Sequence, residues 1–296
     1  MLPKNLQKDD TIAILAPAKR IEREFVDFAV KVIEEQGFKA IISSHCLDEN
    51  NYFSGTIEER KKDFQWALDN ENVAAILCAR GGYGCVQILE GLNWDKFVKH
   101  PKWIIGFSDV TVFHQKIAAL GLASLHASMP LNFKDNSEES LATLFKSIQG
   151  EEINHHWKSS VENKEGVAEG EIIGGNLAVL CGLIGTRHQP DFTDKILFIE
   201  EVGEALYAID RNLYQLKMAG IFDQISGLIV GNISAVKDTH PPYNMSLREI
   251  VLSHFTNKNI PVAFDFPGGH CDDNRAIVFG KRSTLKSLTS TGSLCI

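Results

Sequence analysis

The sequence lacks long hydrophobic runs: none approaches the roughly 20 apolar residues of a membrane-spanning helix, and the N-terminus has no apolar signal-peptide core. Basic residues are in the minority, because 30 Lys and Arg stand against 38 Asp and Glu, for a net charge of −8. This balance argues against nucleic acid or a membrane as the main partner. We therefore predict a soluble, cytoplasmic protein that acts on a small molecule or a peptide.

Closely paired cysteines are also missing, which argues against a zinc framework. The six cysteines are scattered along the chain, at Cys46, Cys78, Cys85, Cys181, Cys271 and Cys295. We expect reduced thiols, no metal and no disulfide scaffold. No internal repeat or low-complexity tract is present. At 296 residues the chain is longer than most single domains, so two domains are expected.

Short apolar runs alternate with helical patterns in the first half of the chain. Thr11–Leu15, Lys39–Ser43 and Ala74–Cys78 have the composition of buried strands. Glu22–Gln36 has a helical spacing of apolar residues, and Thr56 is placed to cap a second helix. This alternation predicts an α/β fold whose N-terminal domain is a layered, mostly parallel sheet of the flavodoxin or glutamine-amidotransferase type.

The polar stretch at residues 136–166 has no strong periodicity, and we interpret it as a linker. It would separate an N-terminal domain at 1–135 from a C-terminal α/β domain at 167–296. Further strand patterns at Glu169–Ile173, Ile196–Ile199 and Leu228–Val230 belong to the second domain. We expect its sheet to be mixed or barrel-like.

Ser108 lies where a buried apolar run from Trp103 to Phe107 gives way to a helical pattern. A serine on such a turn exposes its hydroxyl, and the start of the helix favours negative charge nearby. Ser108 is therefore a candidate nucleophile. Alternatively, Ser108 or Asp109 only caps the helix. In addition, Val110 occupies the position of the second glycine in the Gly-x-Ser-x-Gly motif of ordinary hydrolases.

A glycine-rich segment, Arg80-Gly81-Gly82-Tyr83-Gly84, follows the third predicted strand. Glycines let backbone amides approach a ligand closely, so the segment could bind an oxyanion. It lacks the Lys-Ser/Thr ending of a phosphate-binding P-loop. A purely conformational turn is the competing interpretation.

Two further segments carry groups suited to acid–base chemistry. Glu200 and Glu201 end an apolar strand, and because neighbouring strand residues face opposite sides, we expect one in a cleft and the other in solvent. Both could instead be solvated edge carboxylates. His270 lies in a glycine-rich loop, where a neutral imidazole can accept a serine proton. The adjacent Cys271 and Asp272 do not complete a convincing metal-ligand spacing.

Taken together, these segments resemble the LD-carboxypeptidase family of serine peptidases, which includes murein tetrapeptide carboxypeptidases and microcin self-immunity peptidases. The resemblance covers nearly the whole chain. The segments that carry it are Ala16-Pro17-Ala18, Cys78-Ala-Arg-Gly-Gly-Tyr-Gly, Ile105-Gly-Phe-Ser-Asp, Ile173-Gly-Gly-Asn, Leu197-Phe-Ile-Glu-Glu-Val-Gly-Glu, Tyr207-Ala-Ile-Asp-Arg and Pro267-Gly-Gly-His.

The resemblance implies a Ser-Glu-His triad on Ser108, Glu200 and His270. Ser108 would attack the scissile carbonyl after His270 removes its proton, while Glu200 orients the imidazole and stabilises its charged form. This chemistry needs no cofactor.

The resemblance also implies an oxyanion hole made by the backbone N–H groups of Gly82 and Asp109, with Gly81 as the alternative to Gly82. Arg80 is our candidate for binding a substrate carboxylate, and Arg211 is a weaker one. Each arginine could instead form an internal ion pair.

In family members that recycle the cell wall, the enzyme removes terminal D-alanine from the L-centre of a diamino acid in a murein tetrapeptide. The resemblance implies this muropeptide substrate and a homodimer. The alternatives are a self-immunity peptidase that cleaves peptide-nucleotide conjugates and a noncatalytic muropeptide-binding protein. Cysteine catalysis through Cys78 or Cys271 is a further alternative.

Overall fold

The computed structural model describes residues 1–296 as thirteen strands and ten α-helices. The strands are β1 (Thr11–Leu15), β2 (Lys39–Ile42), β3 (Val73–Cys78), β4 (Trp103–Gly106), β5 (Ser124–His126), β6 (Asn154–Lys158), β7 (Gly166–Asn176), β8 (Ile196–Val202), β9 (Gly227–Ser234), β10 (Val262–Ala263), β11 (Ile277–Phe279), β12 (Arg282–Leu288) and β13 (Thr291–Cys295). The helices are α1 (Arg23–Glu35), α2 (Ile57–Asp69), α3 (Cys85–Leu89), α4 (Asp95–Lys99), α5 (Thr111–Ala119), α6 (Glu138–Gln149), α7 (Leu177–Cys181), α8 (Leu206–Met218), α9 (Ile221–Gln224) and α10 (Leu247–Ser253). No helix is both long enough and apolar enough to cross a bilayer.

The first sheet has six strands in the order β2-β1-β3-β4-β5-β11. Its first five strands are parallel, and their nearly continuous apolar character fits a sheet covered on both faces. The last strand, β11, is antiparallel to β5 and pairs Ile277 with His126. The layered, mostly parallel sheet predicted for the first half of the chain is confirmed, although a C-terminal segment supplies its edge strand.

The second sheet has seven strands in the order β10-β9-β8-β7-β12-β13-β6. Strands β7 to β10 are parallel, whereas β12, β13 and β6 continue the sheet in antiparallel pairs. The long strand β7 joins both parts, because Gly166–Glu171 pairs with β12 and Ile172–Asn176 pairs with β8. The predicted mixed sheet is therefore present.

Residues 136–166, interpreted above as a linker, contain helix α6 and strand β6. The exposed face of α6 carries Glu138, Glu139, Lys146 and Gln149, while Leu144, Phe145 and Ile148 are buried in the hydrophobic core. In β6, exposed residues alternate with the buried His155 and Trp157. The segment is polar because its two elements each expose one face, so it is part of the packed fold rather than a loose connection.

Helix α5, which follows the Ser108 turn, connects the two sheets. Thr111 Oγ1 accepts a hydrogen bond from the Asn176 N–H at 2.9 Å, and Gln115 Nε2 donates to the Gly174 carbonyl at 2.6 Å. A Cβ atom on Gly175 would lie 2.4 Å from Thr111 Oγ1, so only glycine permits this approach. These contacts fix the start of α5 against the end of β7.

Candidate active site

Ser108 occupies a strained turn between β4 and α5. Its φ angle is 62°, in the left-handed region that non-glycine residues rarely adopt. The N-cap positions of the 3₁₀ turn and of α5, Phe107 and Val110, have no side-chain capping bond, and neither Ser108 nor Asp109 supplies one. The turn therefore holds a half-buried serine in a costly conformation without using it as a helix cap.

His270 and Glu200 form a hydrogen-bonded pair beside this turn. The distance from His270 Nδ1 to Glu200 Oε2 is 2.6 Å, and the Glu200 side chain is fully buried while that of His270 is 23% exposed. A carboxylate only accepts, so Nδ1 donates, and Nε2 has no hydrogen-bond partner in the protein. A Cβ on Gly269 would lie 2.7 Å from Glu200 Cβ, which explains why glycine precedes His270.

Phe107 links this pair to the serine. Its ring meets the His270 ring edge to face, with centroids 4.9 Å apart, and it directly precedes Ser108 in the chain. The fold thus brings Ser108, Glu200 and His270 into one region from three distant parts of the sequence. No hydrogen bond joins the Ser108 hydroxyl to His270 in this conformation, and such contacts often tighten only when substrate binds.

The glycine-rich segment after β3 borders the same serine. A Cβ on Gly81 would lie 3.3 Å from both Asp109 N and Ser108 Cβ, so the segment packs directly on the Ser108 turn. Gly82 has a φ of 102°. Neither the Gly82 N–H nor the Asp109 N–H donates a hydrogen bond to another protein group. Two backbone N–H groups without protein acceptors therefore lie on the two segments that meet at Ser108.

The Asp109 carboxylate has its own partner. It is buried, and Oδ2 accepts the Cys85 N–H at the start of α3 at 2.9 Å. Burial raises the pKa of Asp109, and hydrogen bonds from Cys85 and Gly84 together with the charge of Arg60 oppose the rise. The side chain of Asp109 thus ties the Ser108 turn to the end of the glycine-rich segment.

The expectation that one of the two glutamates meets solvent is wrong. Glu201 is only 3% exposed and accepts hydrogen bonds from Asn176 Nδ2, Ala178 N and Val202 N at 2.8–2.9 Å. The six residues Ile196–Glu201 of β8 are all buried, so both faces of the strand are covered and neither side chain reaches solvent. Glu201 holds the start of α7, whereas Glu200 faces His270.

Both arginine candidates have other partners. Arg80 Nη1 donates to the Arg20 carbonyl at 3.1 Å and lies 3.8 Å from Glu22 Oε2. The guanidinium of Arg211 stacks 5.7 Å above the Tyr207 ring. Of the two, only Arg80 belongs to the glycine-rich segment that borders Ser108.

The thiols near the site are poorly suited to be nucleophiles. Burial raises the pKa of Cys78, and burial with the nearby carboxylates raises the pKa of Cys271 to about 11. A thiolate is the reactive form of cysteine, and a raised pKa suppresses it at neutral pH. These environments disfavour the cysteine alternative.

One cluster outside this region has metal-ligand character. Ligand atoms of His45, Asp48 and Glu59 lie within 4.8 Å of one another. However, Glu59 is engaged in the capping box of Thr56, and His45 Nδ1 lies 2.7 Å from Asp63 Oδ1. Existing partners therefore account for His45 and Glu59, two of the three side chains.

Comparison with known proteins matches both halves of the chain to one family. The family model described as the LD-carboxypeptidase N-terminal domain matches residues 12–127, and the model described as the C-terminal domain matches residues 169–285. The chain belongs to the LD-carboxypeptidase family. The resemblance found from the sequence is thereby confirmed, and membership makes the protein a peptidase.

Several members of the family are similar over nearly their full length. A probable murein peptide carboxypeptidase of Bacillus subtilis is 30% identical over 98% of this chain and 92% of its own length. The murein tetrapeptide carboxypeptidase of Pseudomonas aeruginosa is 30% identical over 94% of both chains. The microcin self-immunity protein MccF of Escherichia coli is 27% identical over 91% of this chain and 88% of its own.

A solved structure supports the fold. The muramoyltetrapeptide carboxypeptidase of Oxalobacter formigenes superimposes with a TM-score of 0.89 and 28% sequence identity, covering 97% of this chain and 98% of that one. The two-sheet α/β architecture is thus shared with this solved structure.

Proposed function

We propose that this protein is a serine-type LD-carboxypeptidase that releases terminal D-alanine from a murein tetrapeptide. The observation that carries the proposal is the Glu200–His270 pair, which faces the strained Ser108 turn with one imidazole nitrogen free. Relatives named as murein peptide and murein tetrapeptide carboxypeptidases support the substrate class. The family resemblance further suggests a homodimer and a cytoplasmic role in peptidoglycan recycling.

The proposed reaction begins when Ser108 Oγ attacks the scissile carbonyl and His270 Nε2 takes its proton. Glu200 holds Nδ1–H and stabilises the imidazolium that forms. His270 then gives the proton to the amine of D-alanine as the C–N bond breaks. A water molecule hydrolyses the acyl-enzyme by the same route, with His270 again acting as base.

The developing oxyanion needs preorganised donors, and we assign them to Gly82 N–H and Asp109 N–H. Both amides lack protein acceptors and lie on the segments that border Ser108, which supports this assignment. Gly81 is the alternative to Gly82. A donor of this kind is typically worth about 10²–10³-fold in kcat.

For the free carboxylate of D-alanine we propose Arg80. Its contact with Glu22 is long, at 3.8 Å, and the Glu22 side chain is 60% exposed. A long contact to an exposed carboxylate contributes little, so the guanidinium can exchange it for a substrate carboxylate and form charge-assisted hydrogen bonds.

The second candidate function is a self-immunity peptidase that cleaves a peptide-nucleotide conjugate. The similarity to MccF over most of both chains favours it as the alternative. A noncatalytic muropeptide-binding protein would not need the strained serine or the buried Glu200–His270 pair. Those two features favour an enzyme.

The decisive test incubates the protein with L-Ala-γ-D-Glu-meso-diaminopimelate-D-Ala and follows the peptide mass, with Ser108→Ala as the paired control. We expect loss of one D-alanine with the parent protein only. A glutamyl sulfamoyl adenosine is offered in parallel, and cleavage of this compound alone would favour the self-immunity function. Equal cleavage of the tetrapeptide by both proteins would rule out Ser108 as the nucleophile.

A further inference from the structure

Arg60, on α2, is a charged residue with almost no exposure. Its relative exposure is 2%, and its guanidinium donates to the Pro17 carbonyl at 2.9 Å, the Gly84 carbonyl at 3.1 Å and Gln87 Oε1 at 2.7 Å. It also lies 4.6 Å above the ring of Phe53. Charged side chains are rarely fully buried unless paired, so the position of Arg60 calls for a reason.

One of the two carbonyls that Arg60 binds, that of Gly84, belongs to the segment that borders Ser108. Gly84 ends the glycine-rich segment, and a Cβ at this position would lie 2.7 Å from Arg60 Nη1. Its φ angle of 147° is also one that other residues rarely adopt. Gly84 is therefore required both for its conformation and for the approach of the guanidinium.

The Asp109 carboxylate binds Cys85, the residue that follows Gly84. Arg60 binds the Gly84 carbonyl, and Asp109 Oδ2 accepts the N–H of Cys85. One buried cation and one buried anion therefore fix two consecutive residues, and no ion-pair contact joins the two charges directly. We refer to Arg60 and the Asp109 side chain as the Arg60–Asp109 clamp.

We propose that the Arg60–Asp109 clamp sets the position of the glycine-rich segment relative to the Ser108 turn, and so aligns the two oxyanion donors. The inference rests on the proposed function. The donors lie on different segments, and the clamp joins those segments: Asp109 carries one donor on its own backbone while its side chain binds Cys85. Arg60 and the Asp109 carboxylate are positioning residues, because neither needs to touch substrate.

A clamp that positions the oxyanion donors and a clamp that only stabilises the fold predict different effects on kcat, KM and boronate affinity. Oxyanion donors act mainly on the tetrahedral state, so misaligning them lowers kcat more than it raises KM. It also weakens a tetrahedral boronate formed on Ser108, because the boronate oxygen occupies the oxyanion position. A variant that is merely less stable keeps both properties while it remains folded.

The experiment uses the full chain and two probes: the murein tetrapeptide, and the matching tripeptide with a boronic acid in place of the scissile carbonyl. We expect Arg60→Met to lower kcat about 10–100-fold, with KM changed less than about threefold, and to weaken boronate binding by a similar factor. Arg60→Lys should recover part of the loss, because the ammonium can reach one of the carbonyls. Melting temperatures are measured for every variant.

Two controls separate the alternatives. Lys62→Met removes an exposed charge from the same helix and should behave as the parent. Phe64→Leu creates space in the core below α2, and should lower the melting temperature without changing boronate affinity. If Arg60→Met does not fold, Asp109→Ala gives the same test, because it removes the carboxylate but keeps the backbone donor.

The inference is overturned if a folded clamp variant keeps the parent kcat, or loses kcat while boronate affinity is unchanged. It is also overturned if Phe64→Leu shows the same loss as Arg60→Met at an equal melting temperature. A parent protein that cleaves neither the tetrapeptide nor the glutamyl sulfamoyl adenosine would instead contradict the proposed function itself.

Discussion

Four carboxylate–imidazole pairs occur in this protein, and two of them, Glu200–His270 and Asp210–His254, differ in a way that bears on function. In the candidate active site, His270 Nδ1 lies 2.6 Å from Glu200. Between α8 and α10, His254 Nε2 lies 3.1 Å from Asp210. The His270 side chain is 23% exposed, whereas that of His254 is 1% exposed. The pairs are similar in geometry but differ in what the rest of the ring can reach.

In the Asp210–His254 pair, both carboxylate oxygens have partners within the protein. Asp210 uses one oxygen for His254 and the other to accept the hydroxyl of Tyr243. That hydrogen bond raises the pKa of Tyr243 to about 12, and burial lowers the pKa of His254. His254 Nδ1 is buried without a partner. An oriented imidazole is therefore not a catalytic group unless its free nitrogen faces an accessible nucleophile.

The largest expected effect comes from removing each histidine. His270→Ala should lower kcat on the tetrapeptide by at least about 10³-fold, because the serine loses its base. His254→Ala should lower stability but leave kcat within about threefold. Steady-state kinetics at matched fractions of folded protein measure both. A large kcat loss in His254→Ala would mean that the second pair also serves the reaction.

Replacing the carboxylate of each pair, Glu200 or Asp210, tests the same difference between the pairs. Glu200→Gln should lower kcat by about 10²-fold or more, because the amide neither fixes the tautomer of His270 nor stabilises its charged form. Asp210→Asn is the matched control, and its kcat should stay near that of the parent. If Glu200→Gln had the parent kcat, His270 would not depend on this carboxylate.

Buried histidines outside the site should make the fold acid-sensitive. Burial lowers the pKa of His114 from 6.5 to about 4. The unfolded chain then binds the proton more readily, so this contribution to stability is present above pH 6.5 and is lost as the pH falls from 6.5 towards 4. At pH 5 the loss should be about 2 kcal/mol.

Urea unfolding at pH 7 and pH 5 tests this value, with His114→Gln as the variant. The parent should lose about 2 kcal/mol more than the variant between the two pH values. Equal losses would show that His114 is not the group responsible.

The smallest effect is expected at the Asp210–His254 pair. Tyr243→Phe removes the hydroxyl that Asp210 accepts, and should lower the free energy of unfolding by about 1 kcal/mol without changing kcat. Urea unfolding with parallel kinetics measures both quantities. A fall in kcat larger than the fall in the folded fraction would contradict a purely structural role.

Local patterns predicted much of the fold. Thr11–Leu15 is both the predicted strand and the observed β1, and Thr56 caps α2 through Glu59 as its position predicts. Such features depend on residues close in sequence. The family was recognised because seven short segments occur in one order along the chain.

Other features depend on contacts that local patterns do not encode. Glu201 is buried where the distant Asn176 and Ala178 donate to it, and β11 pairs with a strand about half the chain length away. The burial of Arg60 could not be predicted from the sequence. Arg60 lies in the charged run Glu58-Glu59-Arg60-Lys61-Lys62, which is typical of a solvated helix face. Only the packing of α2 on the glycine-rich segment distinguishes it from its neighbours.

The most direct test of the central claim is covalent labelling with a serine-directed fluorophosphonate, followed by mass mapping of the modified peptide. We expect one adduct, on Ser108, and excess tetrapeptide should block its formation. Labelling should be about 10²-fold slower or more in His270→Ala and unchanged in His254→Ala. Labelling elsewhere, or an equal rate in His270→Ala and the parent, would contradict the assignment of Ser108 and His270 as nucleophile and base.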